Sequence, residues 1–421
     1  MATKNYVNWL SWLFLGLNLL SAFLISKVDD YQLWFVLLLS FNILLGIGFA
    51  KRINTIVLRI SSVLVGLLFI YSGFVKGVDP LGTQFRIEDY FYAYGTIWAI
   101  PFALGLSIFL NAFEFSMGAL IISKIKAKWV TILTFLMMVF FTVTTLNDAL
   151  NNPVPDCGCF GDALIITNWQ TLYKNLVIDA FVILLLLRRV DIKLKWPSAV
   201  QFATFAIIVF GFIGFEVYNI KNLPVIDFRP WKLGNRLLPE NPQPVKYYLT
   251  YQNTSSGETR EYLSSELPWQ DSVFMADWKW LSSREEDPNA NENRTFPMVD
   301  AEGNDWSSDI VENEDGVLII SIYDVSKMTM DDSEKLNRLY AQANKANIEI
   351  VLLNSNSTEV YNKFSKELLL PVMNMYSSDD TALKAAIRSN PGLIIVKNAK
   401  VLAKYHICNF PSIEEIKKVL K

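Results

Sequence analysis

Residues 130–162 read VTILTFLMMVFFTVTTLNDALNNPVPDCGCFGD, an apolar segment that leads directly into a loop with two cysteines. Residues 130–150 are long enough to cross the hydrocarbon core of a bilayer, which needs about 17–25 residues. The loop holds Cys157 and Cys159, two of only three cysteines in 421 residues. Two thiols separated by Gly158 alone can meet without a long-range fold, because the glycine lets the chain bend. The stretch therefore predicts a membrane helix followed by a redox-active or metal-binding loop.

The first half of the chain contains more segments of this kind. The whole chain is 52% hydrophobic and 14% aromatic, as expected of a protein embedded in a lipid bilayer. Seven candidate spans lie at residues 9–25, 33–50, 55–75, 97–123, 130–150, 172–187 and 199–217, of which the sixth is short and contains Asp179. No small-residue cleavage site follows the first segment, so we expect a retained anchor and not a cleaved signal sequence.

Lysine and arginine residues in the short loops predict the orientation. With a cytoplasmic N-terminus, the inner loops contain Lys51, Arg52, Lys124, Lys126, Lys128, Arg188, Arg189, Lys193 and Lys195. The outer loops contain Lys27 with Asp29 and Asp30, an acid-balanced stretch at 76–89, and the cysteine loop. Because cytoplasmic loops carry an excess of Lys and Arg, we expect a bacterial inner-membrane (cytoplasmic-membrane) protein whose cysteine loop and C-terminal half face the oxidising periplasm. The net charge of −3 and the lack of a basic arm give no indication of nucleic-acid binding.

After Pro224 the chain becomes polar. Alternating stretches between residues 245 and 280 predict a small β region, and the polar run 282–293 predicts a loop. Buried strands at 317–323 and 348–353 then alternate with helices at 331–346, 359–366 and 379–389. A hairpin of residues 393–396 and 401–405 precedes a last helix at 412–420, where Ser412 and Glu415 form a capping-box pattern. This pattern predicts a soluble α/β domain.

The order of these elements resembles a thioredoxin-like domain. Asn390-Pro391-Gly392 lies where that family places its cis-proline loop. Where the family carries a C-x-x-C motif, this chain reads Asp324-Val325-Ser326-Lys327-Met328. Without a thiol at this position, the domain cannot carry out dithiol exchange in the usual way.

The membrane half resembles the DoxX/MauE-like family over roughly residues 55–190. The matching features are YSGFVKGVDP at 71–80, Glu114, the Cys-Gly-Cys-Phe-Gly loop and Asn175. The fused arrangement is similar to DoxX-family proteins of Bacteroidetes that carry a thioredoxin-like tail. The resemblance implies a four-helix membrane core and thiol or sulfur redox chemistry at a membrane, without naming a substrate.

We therefore expect an α-helical membrane bundle followed by a soluble α/β thioredoxin-like domain. The predicted regions are an N-terminal transmembrane hairpin (1–54), a DoxX/MauE-like four-helix core (55–190), a seventh span and tether (191–222), a β-rich linker region (223–294) and a periplasmic thioredoxin-like domain lacking C-x-x-C (295–421).

Cys157 and Cys159 are the candidate catalytic pair. A structural disulfide is one alternative, although closing so short a loop removes little entropy from the unfolded chain. Zinc binding is another, but zinc prefers four ligands and His406 and Cys408 are the only further soft donors, so we assign no metal. We expect Cys408 to be a small buried hydrophobe; the alternative is a mixed disulfide between Cys408 and the loop.

Lys76 and Glu114 complete the candidate site. An ammonium near the loop would lower a thiol pKa, whereas the structural reading of Lys76 is a lysine that snorkels to the interface. Glu114 lies within a span, where an acid is costly, and it would either relay protons for a quinone-coupled reaction or hydrogen-bond a neighbouring helix. Asp179 raises the same question, and Glu216 is expected to be interfacial.

The favoured function is a thiol/disulfide redox protein acting on periplasmic partners. Cys157 or Cys159 would accept electrons from the thiols of a client protein through a mixed disulfide, and a quinone in the bundle is a candidate oxidant of the resulting thiols. The alternative is a non-catalytic membrane scaffold, which recruits partners for an envelope complex and uses the cysteines as a structural disulfide. The missing C-x-x-C of the tail supports this alternative.

Overall fold

The structure, a computed structural model, describes residues 2–25, 32–189, 194, 196–266, 268–289 and 294–421. The chain divides into two compact units, Met1–Phe228 and Arg229–Lys421. The first is an α-helical membrane region and the second is a soluble α/β domain. Five charged loop residues lie outside the described residues: Lys27, Asp29, Asp30, Lys193 and Lys195.

Most of the described part of the first unit is helical. The α-helices are α1 (Ala2–Leu24), α2 (Gln32–Phe49), α3 (Thr55–Val78), α4 (Pro80–Ala93), α5 (Ala103–Ser123), α6 (Ala127–Asn151), α7 (Asn168–Leu187) and α8 (Ser198–Asn222).

Six helical stretches of the described residues are long and apolar enough to cross a membrane. They are Phe35–Arg52, Thr55–Val78, Ile97–Ser123, Ala127–Asn151, Asn168–Leu187 and Ser198–Asn222. The apolar part of α1, Trp9–Leu24, is shorter. The sixth predicted segment, 172–187, corresponds to α7, which has 20 residues. Helix α7 begins at Asn168, four residues before the predicted start, because the Thr167 side chain caps it there. The predicted membrane helices are confirmed in number and order for these six.

Helix α4 is not among the predicted elements. Asp79 caps it by accepting a hydrogen bond from the backbone N–H of Gly82, at 3.1 Å, and Pro80 occupies its first turn. The helix packs mainly against α5. Its Tyr90 hydroxyl donates a hydrogen bond to Asp148 of α6 at 2.7 Å. Helix α4 therefore forms one wall of the bundle.

Helices α3 and α5 cross at very short distance. A Cβ atom on Gly118 would lie 2.5 Å from the carbonyl oxygen of Gly66, and one on Gly73 would lie 2.5 Å from the backbone nitrogen of Phe115. Small residues allow this approach, as is typical of helix pairs packed in membranes. The crossing fixes which side chains of the two helices face each other.

The second unit contains two sheets. Strands β1 (Lys246–Asn253), β2 (Thr259–Leu263) and β3 (Trp278–Glu286) form an antiparallel sheet in the order β2-β1-β3. Strands β4 (Val317–Ile322), β5 (Glu349–Asn354), β6 (Asn374–Ser377), β7 (Gly392–Lys397) and β8 (Lys400–His406) form a five-stranded sheet in the order β6-β5-β4-β7-β8. Neighbours in β4, β5 and β6 are parallel, whereas β7 is antiparallel to both β4 and β8.

Helices of the second unit connect these strands. They are α9 (Ser272–Asp277), α10 (Ser307–Glu312), α11 (Met330–Lys345), α12 (Thr358–Glu367), α13 (Asp380–Ala386) and α14 (Ile413–Leu420). Leu336 and Leu339 of α11 are buried against the five-stranded sheet, as the helical spacing predicts. The Ser412–Glu415 capping box is present, and the Asn390–Pro391 peptide bond is cis.

Two predictions for this unit are wrong in detail. Residues 282–286 belong to strand β3 and not to a loop, because they pair in register with the start of β1 in spite of their polar side chains. Helix α13 ends at Ala386, three residues before the predicted end, since the backbone becomes extended at Ile387.

The close crossing of α3 and α5 can be tested with a pair of glycine variants. Gly118→Ala places a methyl group against backbone atoms of α3, and we expect it to destabilise the membrane unit by about 1–3 kcal/mol, as overpacking does. Gly105→Ala, also in α5, has open space around its Cβ and is the matched control. The measurement is the thermal unfolding midpoint in detergent. Equal midpoints for the two variants would contradict the crossing.

Candidate functional site

The cysteine loop connects α6 to α7. Gly158 has a φ of +65°, a conformation that side-chain-bearing residues rarely adopt, and this turn brings Cys157 and Cys159 together. Both residues are free thiols and partly exposed, and their Sγ atoms lie 2.7 Å apart. Two sulfurs at this distance need only a small movement to reach the roughly 2.05 Å of a disulfide. The loop is therefore arranged for opening and closing a sulfur–sulfur bond.

Contacts with α3 and α4 hold the loop in place. The Asp156 carboxylate accepts hydrogen bonds from the backbone N–H of Gly158 and from the Arg86 guanidinium, each at 2.8 Å. The Ser72 hydroxyl donates a hydrogen bond to the carbonyl of Cys159 at 2.6 Å. Arg86 also lies against Gly158, where a Cβ atom would be 3.2 Å from its Cγ. Side chains of α3 and α4 thus hold the loop that carries both cysteines.

The two thiols are electrostatically different. The pKa of Cys159 is lowered to about 6, first because the Cys157 thiol donates a hydrogen bond to its sulfur, and then because of the positive charges of Lys174 and Lys76; burial acts in the opposite direction. The pKa of Cys157 is raised, because its proton is held in that hydrogen bond and because the group is buried. At neutral pH the reduced pair is a thiolate next to a thiol.

Lys76 and Glu114 form a buried ion pair between α3 and α5. The Lys76 ammonium donates a hydrogen bond to the Glu114 carboxylate, and the residues are only 5% and 3% exposed. Lys76 also interacts electrostatically with both cysteines. The structure thus brings together all four predicted site residues, and Lys76 does not snorkel to the membrane surface.

Glu216 of α8 belongs to the same buried region, contrary to the expectation that it is interfacial. It is fully buried, and the Asn111 amide and the Lys76 ammonium face its carboxyl group. Asn219, one turn further along α8, donates a hydrogen bond to the carbonyl of Gly77 at 3.2 Å. Glu216 is buried because Asn219 and the close contact at Gly77 hold α8 against the end of α3.

A cavity of about 960 Å³ lies beside the ion pair and the thiols. Helices α3 to α7 and the cysteine loop contribute to its walls, and Lys76, Glu114, Cys157 and Cys159 all line it. Most of the remaining lining is apolar or aromatic, as in cavities that bind small organic molecules. The predicted site residues therefore all line a single cavity.

Asp179, a further acid within a span, links two helices. It accepts a hydrogen bond from the Thr142 hydroxyl at 2.8 Å and so links α6 to α7. Asn175, one turn earlier, makes a similar link by donating to the Thr145 hydroxyl at 3.1 Å, and it also lines the cavity.

The tail presents different chemistry. The turn after β4, where a thioredoxin motif would lie, begins at Asp324, whose backbone N–H and carbonyl both bond to the Asn390 side chain. Cys408 is exposed, which contradicts the expected burial, because it lies in a short turn after β8. His406 Nδ1 accepts a hydrogen bond from the backbone N–H of Cys408, and burial lowers the pKa of this histidine. His406 therefore caps a turn and is not arranged as a base for the Cys408 thiol.

The described residues contain no group of three or more His, Cys, Asp or Glu side chains that could hold a metal ion.

Three residues near the cysteines were not predicted from the sequence: Arg86, Tyr90 and Lys174. Arg86 and Tyr90 lie on the helix that was not predicted, and Lys174 lies within a span, where its Nζ is 4.8 Å from the centre of the Phe160 ring. Their positions relative to the loop depend on the fold and not on sequence spacing.

These features define a multi-pass helical membrane protein with a thiol pair and a buried ion pair, followed by a soluble α/β domain. Residues 54–189 match the family model of the methylamine utilisation protein MauE. The match spans α3 to α7 and includes the whole cysteine site, and it indicates a MauE-like membrane protein with a redox or accessory role. The wider likeness to DoxX proteins stays a prediction. No curated protein matches the chain.

The charge of Lys174 can be tested through the pH dependence of thiol alkylation. In the reduced protein, Lys174→Gln removes a positive charge that lowers the Cys159 pKa, so the alkylation midpoint should move up from about pH 6 by roughly one unit. Alkylation of the variant should be slower than that of the wild type at neutral pH. The two rates should become equal at high pH, where the Cys159 thiol is ionised in both proteins. Lys174→Arg keeps the charge and is the control. The readout is mass spectrometry of the loop peptide, and identical profiles for both variants would contradict the assignment.

The ion pair can be tested by a double-mutant comparison. Lys76→Met leaves the Glu114 carboxylate buried without its counter-charge, and we expect a loss of about 3–5 kcal/mol of stability. Lys76→Met combined with Glu114→Gln removes both charges and should recover much of this loss. Lys51→Met, at an exposed lysine, should have little effect. Unfolding midpoints in detergent measure the series, and a double variant less stable than Lys76→Met would refute the pairing.

Proposed function

We propose that this protein is an inner-membrane thiol/disulfide redox protein that acts on periplasmic partners through Cys157 and Cys159. The observation that carries the proposal is the geometry of the pair: two free, partly exposed thiols 2.7 Å apart, one of them with a pKa lowered to about 6. A low thiol pKa and solvent access are the properties that distinguish reactive cysteines from inert ones.

The proposed reaction begins with the Cys157–Cys159 disulfide. A client thiolate attacks one sulfur, a mixed disulfide forms, and the other cysteine leaves as a thiolate. A second client thiolate then attacks the mixed disulfide, so the client gains a disulfide and loses two electrons while the loop gains two thiols. The thiol with the lower pKa is the better leaving group, which favours Cys159 as the leaving sulfur and Cys157 as the one that bonds to the client.

The periplasmic orientation rests on how the charged loops are grouped. Arg188 donates hydrogen bonds to the carbonyls of Ala50 and Ile53, and Lys126 donates one to the Ser198 hydroxyl. These contacts place the positively charged loops at the end of the bundle opposite the cysteine loop. An excess of Lys and Arg marks the cytoplasmic side, which supports a periplasmic cysteine loop and C-terminal domain.

For the tail we infer a thioredoxin-like domain that binds or positions the client and performs no redox step. The sheet order β6-β5-β4-β7-β8 and the cis bond at Asn390–Pro391, next to the Asp324 turn, support the likeness. The turn itself carries Asp324, Val325, Ser326 and Lys327, and therefore offers no thiol for exchange. A retained binding surface without its cysteines fits recognition of a partner protein.

A trapping experiment tests the proposed exchange. In Cys159→Ser, the Cys157 thiolate can still attack the disulfide of an oxidised client and release one client thiolate. No neighbouring cysteine is present to displace the client from the resulting mixed disulfide, so covalent adducts should accumulate. Cys157→Ser should trap less, since Cys159 is the leaving sulfur. Cys408→Ser, which removes the exposed cysteine of the tail, is the control and should trap nothing. Non-reducing electrophoresis of envelope fractions, with mass spectrometry of the adducts, gives the result.

The midpoint potential separates the redox function from the scaffold alternative. A reversible couple above about −220 mV in glutathione buffers lies in the range of exchange proteins and would support the proposal. A disulfide that stays closed below about −300 mV would behave as a structural bond. Combined with an absence of adducts, that outcome would favour the non-catalytic scaffold.

A further inference from the structure

The cavity beside the thiols has a mainly apolar lining that includes a group of polar side chains. Cys157, Cys159, Lys76 and Glu114 belong to this polar group. The apolar lining includes aromatic and aliphatic side chains of α5 and α6, such as Phe109, Phe113, Leu133, Leu136, Phe140 and Phe141. A ligand that fills the whole cavity must therefore join a compact polar group to an apolar portion.

The cavity also reaches the side of the bundle. Phe109 of α5 and Leu136 and Phe140 of α6 line it and are at the same time largely exposed on helices that are apolar enough to span a membrane. In a bilayer this surface contacts acyl chains, because both helices are longer than the hydrocarbon core requires. The ligand can therefore enter from the lipid phase, and it does not have to pass the cysteine loop.

The polar group in the lining offers redox chemistry as well as hydrogen bonds. The sulfur pair on the wall can give up two electrons by closing its disulfide, and Lys76, held by Glu114, presents an ammonium to an oxygen of the ligand. Lipid acyl chains would fill the apolar part equally well but could not accept electrons. A ligand suited to both parts of the lining is lipid-soluble and is reduced by two electrons and two protons.

We propose that this cavity binds a lipid-soluble quinone, which reoxidises the Cys157/Cys159 thiol pair. This inference rests on the proposed redox function and names its electron acceptor. In the reaction a Sγ–Sγ bond forms, two electrons pass from sulfur to the quinone ring, and its two carbonyl oxygens become hydroxyls. The thiols supply the two protons; where Cys159 is already ionised, the Lys76–Glu114 pair supplies the second one and is reprotonated afterwards.

The first experiment uses the reduced full-length protein in detergent without oxygen. Decylubiquinone is added as the probe, and alkylation with mass spectrometry follows the loop thiols while absorbance follows quinol formation. We expect one quinol for each disulfide. If decylubiquinone leaves the pair reduced while glutathione disulfide oxidises it, the quinone inference is wrong and the proposed function stands. If neither reagent oxidises the pair, the proposed function itself fails.

A pair of variants on α6 locates the binding site. Thr144 lines the cavity, and Thr144→Trp should fill part of it and slow oxidation by decylubiquinone at least tenfold. Val143, the preceding residue, is exposed and does not line the cavity, so Val143→Trp is the matched control and should react like the wild type. The glutathione midpoint should be equal in all three proteins, which verifies that the loop is intact. Equal quinone rates in all three would exclude this cavity as the site.

A binding measurement that needs no turnover completes the test. The double variant Cys157→Ser/Cys159→Ser cannot transfer electrons, but its cavity remains. Decylubiquinone should raise its thermal unfolding midpoint, and adding Thr144→Trp should abolish the rise. Decyl alcohol, which has the same tail without the ring, should raise the midpoint much less. An equal rise with both compounds would mean that the cavity takes any apolar chain, and would overturn the quinone assignment.

Discussion

The buried ion pair of Lys76 and Glu114 determines how the helices of the membrane unit pack. A single charge inside a membrane bundle is very costly, so each of these residues requires the other on the facing helix. This requirement fixes both the rotation and the spacing of α3 and α5, and Gly73 and Gly118 permit the spacing by leaving room for backbone contact. Asn111 supports the arrangement by donating a hydrogen bond to the carbonyl of Lys76.

The same pairing governs the electrostatics of the cysteine loop. Lys76 lowers the Cys159 pKa, but its partner Glu114 acts in the opposite direction, so the two charges partly cancel at the sulfur. Lys174 lowers the Cys159 pKa more than Lys76 does, although its position in the sequence does not distinguish it. The largest effect is the hydrogen bond from Cys157, which exists only because the Gly158 turn places the two sulfurs side by side.

Features with a strong local signal were predictable from the sequence. Long apolar runs define the membrane helices, and period-2 and helical spacing define the α/β domain, including the Ser412 cap. Helix α4 was not predictable in this way, since residues 80–93 mix aromatic, charged and polar side chains without a clear apolar face. Its Arg86 contact with the loop, the burial of Glu216 and the exposure of Cys408 depend on tertiary packing. The pairing of Lys76 with Glu114 likewise needs the helix crossing.

The thiols lie between the exposed surface of the loop and the cavity, and this position determines the direction of electron transfer in the proposed scheme. One side of the Cys157/Cys159 pair is partly exposed in the loop, where a protein thiol can approach, and the other side lines a cavity that reaches lipid. Two half-reactions can then use the same sulfur pair without the reductant and the oxidant ever meeting. A thiol-bearing protein is too large to enter the cavity, and a lipid-soluble oxidant has little reason to leave the bilayer. Electrons would therefore pass from protein thiols to the membrane only through this loop, and for that reason a single Cys-Gly-Cys pair is enough and the tail needs no thiols of its own.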